Sequence, residues 1–118
     1  MTMATPQAVV PGKGPRVVIN VYADPESGEI YVDREPFYVH IGKQEEVQWI
    51  CRQSHQSHGP NCFTVEFNGP NGTPFPGNQY HHGEDSGVPR VGASATFYKY
   101  TIRVPGVGEI DPQGGVRP

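Results

Sequence analysis

Charge is scarce in this chain: 18% of its 118 residues are Asp, Glu, Lys or Arg. Nine Lys and Arg stand against twelve Asp and Glu, for a formal charge of −3 and a pI near 5.9. The basic residues never run three together, so no stripe is present that could neutralise successive phosphates, and nucleic acid is not an expected partner. The same sparseness gives no polybasic anchor for an anionic membrane surface. No run approaches the ~20 apolar residues of a spanning helix, so no membrane insertion is expected. Long windows free of helix breakers are also missing. The 15 glycines and 13 prolines make up 28 of the 118 residues, about twice the usual share, which excludes a mainly helical protein.

What is present is short alternation. In Arg16-Val-Val-Ile-Asn-Val-Tyr22, Val17, Ile19 and Val21 share one face while Asn20 and Tyr22 share the other. Asp24-Pro-Glu-Ser-Gly28 is a turn leading into Glu29-Ile-Tyr-Val-Asp33, and the two strands form a hairpin. Further strands are read at Pro36–Ile41, Glu46–Cys51, Cys62–Phe67 and Thr96–Val104. Phe37, Val39, Val47, Trp49, Phe63, Val65, Phe67, Tyr98, Tyr100, Ile102 and Val104 are the expected core. Residues 68–93 carry six glycines and four prolines and form a long connection, too long to be structureless. It is expected to hold a short edge strand or a functional loop, with Phe75 anchoring it to the core. The expected organisation is a mobile or extended, flexible arm over 1–15, one domain over 16–112, and a frayed tail over 113–118 unless Val116 pairs with an edge. Six or seven strands with turns every 8–12 residues predict an all-β, antiparallel Greek-key β-sandwich.

Read together, Val47-Gln-Trp49, Phe63-Thr-Val-Glu-Phe67, Pro74-Phe75 and Tyr98-Lys-Tyr-Thr-Ile102 resemble the cupredoxin family of small copper-binding sandwiches. The resemblance spans roughly residues 36–112 and implies a cupredoxin-like fold. It does not carry the family's metal site across. Asn61 stands where the family's first histidine ligand falls and Ile102 where its cysteine falls, with no histidine or methionine beyond. A blue-copper centre needs a thiolate and two imidazoles, so the resemblance implies a metal-free relative.

Several side-chain groups are candidates for chemistry. Cys51-x3-His55-x2-His58-x3-Cys62 offers four donors suited to zinc or copper around one loop. The same cysteines are compatible with a disulfide or with two separate thiols, and histidines in polar loops are ordinarily just solvated. His81 and His82, beside Tyr80, Glu84 and Asp85, form a second polar cluster. Ser54 and Ser57 lie near histidines, yet no motif holds a nucleophile, a base and an orienting group together, so an enzyme is not expected. Tyr22, Tyr31, Tyr38, Tyr80, Trp49 and Phe97 are more aromatic side chains than one core needs, and Tyr22 and Phe97 are out of phase with it. Such residues mark an interface unless another part of the chain covers them.

The function read from the sequence is a non-catalytic binding or assembly module without a cofactor. It would contact a protein partner or itself through Tyr22, Phe97, His81 and His82. The alternative is a zinc- or copper-binding protein using the loop histidines and cysteines. With Met1 as the native start a cytoplasmic location is expected, and with a leader removed a periplasmic or secreted one.

Overall fold

A computed structural model describes residues 15–52 and 62–118. Among the described residues, ten strands make up three small sheets that wrap one core. β1 (Arg16–Asp24) lies between β2 (Glu29–Val32) and β4 (Glu46–Cys51). β10 (Gln113–Arg117) lies between β3 (Phe37–His40) and β7 (Phe97–Lys99). The third sheet has the order β6 (Gln79–His81), β5 (Thr64–Glu66), β8 (Thr101–Val104), β9 (Gly108–Ile110). One 3-10 turn, Ile41–Lys43, joins β3 to β4.

The β1–β2 hairpin forms where the Pro25 and Gly28 signals place it, with Gly28 at φ +78° and Tyr22 opposite Tyr31. Pairing then departs from the all-antiparallel expectation. β1 runs parallel to β4, with Ile19 opposite Trp49, and β10 runs parallel to β3, with Val116 opposite Val39. After the hairpin the chain leaves for the second sheet as β3 and crosses back, so β4 re-enters beside β1 in the same direction. Parallel neighbours need such a crossover, which local alternation does not reveal.

The stretch Thr96–Val104 also differs from one continuous strand. It contributes β7 to the second sheet and β8 to the third, switching sheets at Tyr100. Its phase is nonetheless as expected, because Tyr98, Tyr100, Ile102 and Val104 are all buried. Every residue of the expected core is buried, and so is Phe75. Trp49 sits at the centre, 5.6–6.0 Å from the rings of Phe37, Phe67, Tyr80 and Tyr100. Its indole N–H donates to the Tyr100 hydroxyl at 3.5 Å. Burial pushes the Tyr100 phenol well above its ordinary pKa, with the Trp49 hydrogen bond opposing the shift. The long connection does hide an edge strand, β6, paired with β5.

The free edge of β4 is covered by residues 82–86, partly through side chains. Val47 N–H donates to Ser86 Oγ and Cys51 N–H to His82 Nδ1, both at 2.8 Å. In return, Ser86 N–H donates to the Val47 carbonyl and Gly83 N–H to that of Trp49. This closes an edge that would otherwise offer a row of backbone groups for pairing with another chain.

The largest departure is at the C-terminus. The tail over 113–118 is expected to fray unless Val116 pairs with an edge; Val116 does pair, with Val39 of the edge strand β3, and residues 113–117 form the central strand of the second sheet. Gly114 and Gly115 both sit under aromatic rings. A Cβ on Gly114 would collide with the Phe37 ring, and one on Gly115 would lie 2.7 Å from Tyr38 Cδ1. Only glycine lets rings close over both faces of this strand. Gly114→Ala is therefore expected to destabilise the domain by about 3 kcal/mol through overpacking, read as a shift of the urea midpoint. A change within about 0.5 kcal/mol would contradict the close ring contact.

Candidate interaction surface

The outward face of the β3-β10-β7 sheet is built from alternate residues of three strands. Phe37, Gly114 and Tyr98 form one cross-strand row that points into the core. The next row, Tyr38, Gly115 and Phe97, points to solvent. With no side chain on Gly115, the Tyr38 and Phe97 rings lean over it from both flanks to a centroid separation of 6.0 Å. They remain 37% and 45% exposed, respectively. Asn71 Nδ2 donates to the Phe97 carbonyl at 2.9 Å and holds β7 from its outer side.

Cations flank these rings. The Arg117 guanidinium lies 4.0 Å from the centre of the Tyr38 ring, a stacking that fixes a planar cation on an aromatic face. Lys99 is exposed and stands opposite Gln113. Across the outward positions of the three strands there is no carboxylate. Of the acids on adjoining segments, Glu45 accepts from the His40 backbone N–H at 2.7 Å and lies 3.1 Å from His40 Nδ1, and Glu109 and Asp111 line a cavity with Lys99. Among the described residues, neither Lys99 nor Arg117 forms an ion pair with a carboxylate. The outward positions of this sheet are thus aromatic and carry cations but no carboxylate, on a chain whose overall charge is negative.

The residues singled out by sequence are scattered over several faces. Phe97 belongs to this surface, as its phase predicts. Tyr22 lies on the β2-β1-β4 sheet, stacked on Tyr31 at 4.9 Å with the rings 9° apart. Tyr31 remains 54% exposed. His81 is tied to Glu84, whose Oε1 accepts from the His81 backbone N–H at 2.8 Å and lies 3.3 Å from Nδ1. His82 accepts from Cys51 N–H and packs perpendicular to the Phe63 ring, which places it in the cover over β4. Tyr38, Gly115 and Arg117 were not singled out together. The outward phase of Tyr38 was readable from Phe37 and Val39, but its partners lie on a strand that was read as a tail.

Cys51 and Cys62 are joined in a disulfide. In that form neither sulfur is a thiolate, the species that ligates zinc. His55 and His58 lie outside the described residues. Among the described residues, no three His, Cys, Asp or Glu side chains come together as metal donors, and no helix is long and apolar enough to cross a membrane. The chain matches no family model, no curated protein and no solved structure.

The disulfide closes the segment between β4 and β5. Native protein kept under non-reducing conditions is expected to resist alkylation at both cysteines. Reduction is expected to lower stability by about 3 kcal/mol through the freed loop. Mass spectrometry after alkylation reads the first and thermal melting the second; rapid double alkylation of unreduced native protein would contradict the bond.

Proposed function

We propose that this domain is a non-catalytic protein-interaction module and that the Tyr38–Gly115–Phe97 face, with Arg117 and Lys99, is its contact surface. The observation that carries this reading is the pair of half-exposed rings held over a glycine at 6.0 Å, beside two cations without carboxylate partners. Aromatic side chains and arginine supply most of the energy at protein interfaces, because they bury large areas at low entropic cost. A core built to hold those rings in place would preorganise the surface for a partner. The cupredoxin-like Greek-key arrangement belongs to the same proposal. It is supported by the burial of Val47, Trp49, Phe63, Val65, Phe67, Tyr98, Tyr100 and Ile102, the residues that carry the resemblance. The Cys51–Cys62 bond favours an oxidising compartment for the domain.

Comparative capture tests the contact surface. Wild-type protein and the Tyr38→Ser/Phe97→Ser double variant, both verified as folded by circular dichroism, are immobilised and exposed to the same native extract. A specific partner is expected on the wild type, with recovery at least about tenfold lower on the variant. Identical captured sets on both proteins would contradict the assignment of this face.

A further inference from the structure

Building on the interaction reading above, we infer that a second copy of this chain occupies the cationic face, docking the tip of its β1–β2 hairpin there. The hairpin is the chemical complement of that face. Its turn carries Asp24, Glu26 and Glu29 with no basic residue between them. Asp24 is occupied within the turn, where its Oδ1 accepts from Glu26 N–H at 3.0 Å. Among the described residues, Glu26 and Glu29 form no ion pair. Beside them lies the second exposed aromatic group, Tyr31 stacked on Tyr22. One surface therefore offers two carboxylates outside any ion pair and an exposed ring, and the other offers two exposed rings and two cations outside any ion pair, Arg117 being held on the Tyr38 ring.

The cations near the hairpin do not cancel its charge. Arg34 Nε donates to the Val18 carbonyl at 3.0 Å and Arg52 Nε to Asn20 Oδ1 at 2.7 Å, both toward the opposite end of the sheet. The two complementary surfaces belong to different sheets. A two-fold dimer that paired the cationic faces directly would oppose Lys99 and Arg117 with their own copies. Opposite charges meet when face and hairpin come from different molecules. Such a contact is either exchanged reciprocally across a two-fold or repeated from molecule to molecule into a ring or an open chain.

Sedimentation velocity on the full chain, across a concentration series at low and high salt, tests this contact. Association that grows with concentration and weakens with salt is expected. The face variant Lys99→Glu/Arg117→Glu and the hairpin variant Glu26→Lys/Glu29→Lys should each associate at least about tenfold more weakly. Mixing the two should restore association, since the reversed face then meets the reversed hairpin. A control with the same charge change on neither surface, Arg90→Glu/Arg103→Glu, should behave as wild type. Melting curves confirm that each variant is folded. A wild-type chain that stays monomeric overturns the face-to-hairpin contact, while the interaction reading is judged separately by capture on Tyr38 and Phe97. Equal loss in the control, or no recovery on mixing, also overturns it.

Discussion

The close packing of rings over two adjacent glycines is the contact on which the second sheet depends. Gly114 admits Phe37 on the core side, and Gly115 admits Tyr38 and Phe97 on the solvent side. Strand glycines ordinarily weaken a sheet, because they lose backbone entropy and contribute no packing. Here the aromatic neighbours supply that packing from both flanks. The same contact couples core and surface, since Phe37 packs 6.0 Å from Trp49 while Tyr38, one residue on, forms the exposed face.

The remaining architecture protects this core from its own edges. Residues 82–86 occupy the open side of β4, using Ser86 Oγ and His82 Nδ1 where backbone acceptors are lacking. At the end of that strand the Cys51–Cys62 bond ties β4 to the segment entering β5. With only 18% charged residues, the chain has few lysines or glutamates with which to blunt a sheet edge. A loop with alternating side-chain and backbone partners does the same work.

Alternation made the core legible, because a period of two fixes which face of a strand a residue occupies even when its partner is unknown. Trp49, Phe63 and Tyr100 could be placed that way, and so could the outward Phe97. Partner identity was not legible. Nothing local in Arg16–Tyr22 says that β4 rather than a hairpin strand lies on its second side, and parallel pairing follows from the route of the crossover. The exposed aromatic face was half readable for a related reason. Tyr38 and Phe97 carried the signal in their phase, but the residue that brings them together is Gly115. Glycine composition at a chain end signals mobility unless the rings that cover it are already known.

Hydrogen exchange at the amides of Gly114, Gly115 and Val116 most directly tests whether the C-terminal segment is a structural strand of this domain. Val116 N–H donates to the Thr96 carbonyl at 2.9 Å, and the strand has neighbours on both sides. These amides should exchange as slowly as those of Trp49 and Val65, opening only with the domain as a whole. Exchange at the rate of an unprotected chain end would contradict the account, removing both the glycine-packed strand and the surface built on it.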